Sequence, residues 1–265
     1  MPPPAKVRLP SAEDARAGTL AQYALLAEAV DALGDKDFKA PTRLGGWTVK
    51  HLVAHLAATL DAVPRAFAKP PPKKAEADLL TYLGAARGVA DAVAARVDDL
   101  AKGATPKQLR ARLRTALQET EQALDGADPE RLMLVRLGAL PLSEFLATRC
   151  VEGVVHGLDL RVAVGVPEKP DPGALKVVVR SFAALLAHTV PGKSVEVRVP
   201  GHVAIQCASG PRHTRGTPPN VVEADPEAFV EVCSGRISWS NATGRGTVRA
   251  SGDRADLSPY LPLIG

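Results

Sequence analysis

The sequence predicts an α+β protein in two parts, a four-helix bundle followed by a smaller domain of helix and antiparallel sheet. Three observations carry that prediction. Up to about residue 165, capped stretches with apolar residues three and four apart succeed one another. Pro167, Pro170 and Pro172 then interrupt the chain. From Ser194 the period changes to two, in Ser194-Val195-Glu196-Val197-Arg198-Val199 and again in Val203-Ala204-Ile205-Gln206-Cys207. Domains over residues 1–168 and 174–265 follow, and 265 residues are enough for two moderate cores.

Each element has its own signal. Ser11-Ala12-Glu13-Asp14 starts an amphipathic helix that runs to about Leu33. Residues 34–46, with Gly34, Pro41 and Gly45-Gly46, form a polar connection. Thr48 caps the next helix, whose Val49, Leu52, Val53, Leu56, Leu60, Val63 and Phe67 share one face and which ends near Pro70-Pro71-Pro72. That proline run with Lys73-Lys74 is a stiff connector. Ala75 to Leu100 reads as one long helix, and Thr105-Pro106 caps another that runs to about Leu124. After Gly126-Ala127-Asp128-Pro129 a short irregular segment leads through Pro141 into a helix containing Glu152. In the second part, Leu175 to His188 is a helix with Val177, Val178, Phe182, Leu185 and Leu186 on its apolar side. Asn220 to Glu223 forms a third strand, Asp225-Pro226-Glu227 starts a short helix, and Arg236 to Trp239 and Thr247 to Ala250 add strands. Ala255 to Leu263 closes the chain.

Composition narrows the function classes. A 46% hydrophobic content is ordinary for a globular protein, and no apolar run is long enough to span a bilayer. A net charge of +4, with acids and bases alternating along the helices, describes solvated faces rather than a nucleic-acid surface. Met1-Pro2-Pro3-Pro4-Ala5-Lys6 lacks the apolar core of a signal peptide, so a cytoplasmic location is expected. Cys150, Cys207 and Cys233 show no C-x-x-C spacing and predict no disulfide framework.

Two segments about a hundred residues apart carry the chemistry. In Cys150-Val151-Glu152-Gly153-Val154-Val155-His156-Gly157-Leu158-Asp159-Leu160, valines and leucines cover most of the helix, yet Arg149, Glu152, His156 and Asp159 form one polar stripe. Buried ionisable groups are costly unless paired or bound to metal. Glu152 and His156, four apart, can grip one ion; equally, Arg149 can pair with Glu152 and Glu152 can orient His156 in a purely structural network. In Gly46-Trp47-Thr48-Val49-Lys50-His51-Leu52-Val53-Ala54-His55-Leu56, His55 lies at the border of the apolar face and can reach inward. His51 falls on the opposite side, beside Lys50 and Asp61, and reads as a solvated surface histidine. Cys150 reads as a core cysteine.

The pattern G-W-[ST]-V-x-x-L-x-A-H-L followed by E-x-x-x-H-G-x-D-L resembles the mycothiol-dependent maleylpyruvate isomerase family, within the DinB-like four-helix-bundle superfamily. The matching positions are Trp47, Thr48, His55, Glu152, His156 and Asp159, and the resemblance covers residues 11 to 165. It implies that His55, Glu152 and His156 hold a divalent metal, usually zinc, with Asp159 in a supporting role. Gly210 to Glu223 resembles the bacterial sterol-carrier-like domain found fused to such bundles in actinobacteria. Together the resemblances imply a zinc-dependent, mycothiol-using isomerase or transferase acting on a small electrophile. The alternative from a different class is a non-catalytic carrier of a hydrophobic ligand; a homodimer is compatible with either. Arg87, Arg149, Arg212 and Arg215 are candidate cationic groups for an anionic substrate or ordinary ion-pair arginines, and His213 is a candidate acid or base. The loop 210–223, which carries Arg212, His213 and Arg215, is either a turn between strands or a lid or anion-binding loop over the bundle site.

Overall fold

The computed structural model describes residues 7–210 and 219–264, apart from the side chain of Arg87. Arg212, His213 and Arg215 lie outside the described residues. The chain divides into a unit spanning Ser11–Ala174 and a second built on residues from Leu175 onward. No described helix is long and apolar enough to cross a membrane.

In the first unit, α1 (Ala12–Ala32) starts where Ser11 accepts a hydrogen bond from the Asp14 amide. Helix α2 (Val49–Leu60) is followed directly by the short α3 (Ala62–Phe67), not by the continuous helix the sequence predicts. Pro64 explains the break, because it has no N–H for the Leu60 carbonyl and its ring crowds that oxygen. The Thr120 hydroxyl donates to the same carbonyl instead, at 3.4 Å. The predicted helix from Ala75 to Leu100 is also divided. Helix α4 (Leu79–Gly84), capped by Asp78, leads into a 3-10 turn at Ala86–Val89 and then α5 (Ala90–Ala101). Its two halves have different neighbours: α5 packs on α2, whereas α4 packs on α7 (Leu142–Val164). Helix α6 (Pro106–Leu124) begins with the expected Thr105 cap, reciprocated by Gln108.

The segment read as irregular before α7 is a hairpin, β1 (Leu132–Val135) and β2 (Gly138–Pro141), with Leu132 opposite Pro141. Leu132-Met133-Leu134-Val135 is apolar at every position and shows no alternation, so its strand is not announced by a period of two. Gly138, at φ +112, makes the close approach to Glu76 possible, since a Cβ there would lie 3.3 Å from the Glu76 Cβ. The amides of Glu76 and Ala77 both donate to the Ala139 carbonyl, tying the preceding segment to this hairpin. Leu26, Val30, Leu52, Leu56, Leu109 and Leu113 belong to the bundle core and are almost wholly buried. Each such side chain contributes about 1.5–3 kcal/mol on burial.

Helix α8 (Pro172–Thr189) carries the chain into the second unit. Its strands are β3 (Val195–Val199), β4 (Val203–Cys207), β5 (Val221–Ala224) and β6 (Val248–Ser251), in the order β4-β3-β5-β6. The β3/β4 and β5/β6 pairs are antiparallel as expected, while β3 and β5 run parallel, with Val197 opposite Val222. Helix α9 (Pro226–Cys233) follows Asp225. The strand predicted at Arg236 to Trp239 is absent; Ser238 accepts from the Asn241 amide and caps α10 (Trp239–Gly244). A serine three residues before a free amide is a helix start, and that local bond overrides the apolar pair Ile237 and Trp239. An apolar cavity of about 10 Å³ lies among Leu186, Val197, Val222, Phe229, Trp239 and Leu257.

Candidate metal centre in the helical unit

The site is built where α2 and α7 pack together. Helix α2 enters through a capping arrangement in which Nδ1 of His51 accepts the Thr48 amide, at 3.2 Å. His51 is therefore half-buried at the cap, with Nε2 3.9 Å from Asp98, rather than freely solvated as its position on the helical wheel predicts. One turn later, His55 is only 8% exposed. Its ring stands 5.4 Å from Trp47 and 4.6 Å from His156, edge-on to the latter.

Glu152 and His156 follow one another at i, i+4 on α7. Glu152 Oε2 lies 3.0 Å from His55 Nε2 and 3.3 Å from His156 Nε2. Among the described residues, His55, Glu152 and His156 are the one group of three potential metal ligands, their donor atoms all within 4.8 Å of one another. Gly153 and Gly157 sit beside them because α1 presses closely on α7: a Cβ at Gly153 would come within 2.9 Å of Tyr23.

Behind the triad stands a second layer. Asp159 is fully buried and takes His156 Nδ1 at 2.9 Å through one oxygen and Arg43 Nε at 2.6 Å through the other. The carboxylate can only accept, so the proton of the neutral His156 ring sits on Nδ1 and the Nε2 lone pair faces Glu152. The Arg149–Glu152 pair of the structural alternative does not form. The Arg149 guanidinium donates to Thr59 O, Tyr82 Oη and Thr148 Oγ1 and lies 4.7 Å over the Phe145 ring. It is 6% exposed and uses neutral acceptors, an uncommon position for a cation.

Burial and hydrogen bonding set opposing electrostatic trends. Burial holds the His55 pKa below the ordinary imidazole value, although Glu152 partly offsets it. Burial also works against charge on His156, but the hydrogen bonds with Asp159 and Glu152 prevail and raise its pKa. For Glu152, burial raises the pKa, yet His156 and His55 together hold it well below the usual carboxylate range. Cys150 is wholly buried, and burial pushes its thiol far up, as expected of a core cysteine.

The two histidines and the glutamate were all legible in sequence, as was Asp159. Arg43 and Tyr82 were not, because they arrive from a loop and from α4 with no local spacing that points to the site; Thr59 stands one turn after His55 on α2. The donor set suits a divalent ion: two imidazoles and a carboxylate, with one of the histidines already oriented by a second carboxylate.

The comparisons with known proteins agree with this architecture. Residues 19–161 match the family model described as the mycothiol maleylpyruvate isomerase N-terminal domain. Residues 171–263 match the model described as the bacterial SCP ortholog. No curated protein matches the chain. Among solved structures, a mycothiol-dependent maleylpyruvate isomerase is similar at 20% identity, with 91% of each chain covered and a TM-score of 0.59. A histidine-to-alanine mutant of such an isomerase matches at 20% identity, with the same coverage and a TM-score of 0.58. At that identity the likeness speaks for the fold. The family model spans more than half of the sequence, and the chain belongs to the mycothiol-dependent maleylpyruvate isomerase family, with a sterol-carrier-like C-terminal domain.

Proposed function

We propose that the bundle binds a divalent metal ion, zinc, through His55, Glu152 and His156 and works with a thiol, mycothiol, to isomerise or conjugate a small electrophilic substrate. One observation carries this reading: three donor atoms from two helices converge within 4.8 Å, and a buried carboxylate already orients one of them. Three protein ligands leave a coordination position for a small molecule, the arrangement of catalytic rather than structural zinc. When bound, zinc would favour the deprotonated form of a thiol and so supply a nucleophile at neutral pH.

The chain's own residues do the rest. Asp159 keeps the proton of His156 on Nδ1, and Arg43 anchors Asp159 from its other oxygen. Trp47 covers one side of His55 and limits the approach of water. Arg149 places a buried positive charge one helical turn before Glu152, where it favours an anionic substrate or a developing negative charge. In this reading residues 1–168 form the metal-binding domain and 174–265 the sterol-carrier-like domain.

A hydrophobic carrier has less support. Among the described residues, the apolar cavity between Leu186, Val197 and Phe229, about 10 Å³, has room for roughly one water molecule, far below the ~300 Å³ of a small-ligand pocket. The test of the enzyme reading is turnover of maleylpyruvate by zinc-loaded protein with mycothiol. Turnover that requires both the thiol and the metal is expected. Turnover that survives complete chelation would contradict the proposal.

A further inference from the structure

Among the described residues, four threonines are buried in the bundle helices, and three of them place their hydroxyls on carbonyls. Thr19 donates to Leu146, Thr120 to Leu60 and Thr148 to Phe145. Thr59 does not. A helical threonine can turn its hydroxyl back to the carbonyl four residues before it. The Thr59 hydroxyl instead meets His55 Nε2 at 3.4 Å, its one hydrogen-bond contact among the described residues. That separation is long for a hydroxyl bond, and the same nitrogen stands closer to Glu152 Oε2, at 3.0 Å.

Nε2 is the His55 nitrogen that faces the other donor atoms of the triad. Tetrahedral zinc with bonds of about 2.1 Å holds neighbouring ligand atoms roughly 3.4 Å apart. An oxygen 3.4 Å from Nε2 therefore stands at the edge of the coordination sphere. A metal on Nε2 ends that contact, because the nitrogen then has neither a lone pair nor a proton to offer. The backbone of Thr59 is tied to a cation, since Arg149 Nη1 donates to its carbonyl at 3.3 Å. Arg149 is buried, and its acceptors among the described residues are Thr59, Tyr82 and Thr148, none of them a carboxylate. With the metal in place, the hydroxyl lacks an acceptor and the guanidinium lacks a counter-charge. An anion would supply both, and the Glu152 side chain, 32% exposed, leaves the triad reachable from solvent.

We propose that Thr59 determines which small molecule the metal accepts: its hydroxyl donates to the anionic donor atom, a thiolate sulfur, at the open coordination position. Arg149 fixes the Thr59 backbone and supplies the opposite charge. A thiolate keeps lone pairs for that hydrogen bond after it has bound the metal. A neutral imidazole does not, because its ligating nitrogen spends its lone pair on the metal. The hydroxyl therefore favours the thiolate over the imidazole. This proposal rests on the metal reading of the triad.

Thr59→Val keeps the shape of the side chain and removes the hydroxyl, whereas Thr59→Ser keeps the hydroxyl. In full-length, cobalt-substituted protein, β-mercaptoethanol and imidazole are titrated separately and followed by the visible spectrum. Apparent affinity for β-mercaptoethanol should fall roughly tenfold in Thr59→Val, as for a lost hydrogen bond to a charged group, and stay near wild type in Thr59→Ser. Imidazole should bind all three proteins alike, and zinc affinity by chelator competition should not change, because Thr59 is not a ligand. Thr59→Ala should show the same selective loss as Thr59→Val. Unchanged thiol affinity without the hydroxyl, or a loss shared equally by imidazole, would overturn the role of Thr59 alone. A wild-type chain that takes up no metal would overturn the metal reading and this proposal together.

Discussion

Among the described residues both units bury neutral polar side chains, but the buried imidazole and charged side chains all belong to the bundle. The C-terminal unit buries Ser181, Ser194, Asn220 and Ser234, all neutral. Ser181 and Ser234 donate to carbonyls one turn back, and Asn220 donates to the Ser194 carbonyl. These bonds complete helices and a strand connection. The bundle buries His55, Arg149 and Asp159, with Glu152 and His156 beside them. Burying charge costs far more than burying a hydroxyl, and such cost is tolerated chiefly where partners or a metal offset it. The contrast teaches that polarity alone does not mark a site in this chain. Convergent ionisable groups with opposed pKa shifts do.

Breaking the apolar core should have the largest effect and should separate the units. Phe182→Ala is expected to cost about 3–5 kcal/mol by denaturant unfolding, because a wholly buried ring leaves a cavity. Metal uptake per folded chain should stay at the wild-type value. A parallel loss of metal would tie the site to this core.

Asp159→Asn sharpens the comparison within the bundle. It removes the charge that holds both His156 and Arg43, and zinc affinity should fall about 10- to 100-fold while the fold persists. Competition with a chelator measures it. An unchanged affinity would mean that His156 needs no orienting carboxylate.

The pH dependence runs in two directions. In metal-free protein the His156 pKa is raised, so its stabilising contribution is complete below the unfolded value of about 6.5 and is lost as pH rises through the folded value. The stability advantage of wild type over His156→Gln should therefore shrink with rising pH. Metal occupancy should follow the opposite course and grow with pH, because the ligands must shed protons to bind. Thermal melts of both proteins with and without zinc across pH 5–9 (about that range suffices for imidazole) check the pair of trends.

The smallest effect belongs to the neutral polar core. Asn220→Ala removes the bonds to the Ser194 carbonyl and from the Arg254 amide and should cost about 1–3 kcal/mol, with metal binding unaltered.

Much of this was legible in the sequence, for identifiable reasons. Ser11 and Thr105 announce helices because capping is a contact over three residues. Glu152, His156 and Asp159 are legible because one helix turns them to the same side. His55 is legible from its place on the border of the apolar face and from the family pattern. Arg43 is 116 residues from Asp159, and no local period connects them. Helical position alone does not reveal that the His51 ring turns back to the Thr48 amide. The break between α4 and α5 follows from their different packing partners, which the Ala- and Val-rich segment from 75 to 100 does not disclose.

If the convergent triad is a metal site, untagged protein reconstituted with zinc should hold about one metal ion per chain, and a folded His55→Ala variant treated in the same way should hold none. Metal content measured on the two proteins side by side decides it. A wild-type chain that takes up no metal, or a variant that retains it in full, would show that the triad does not bind metal.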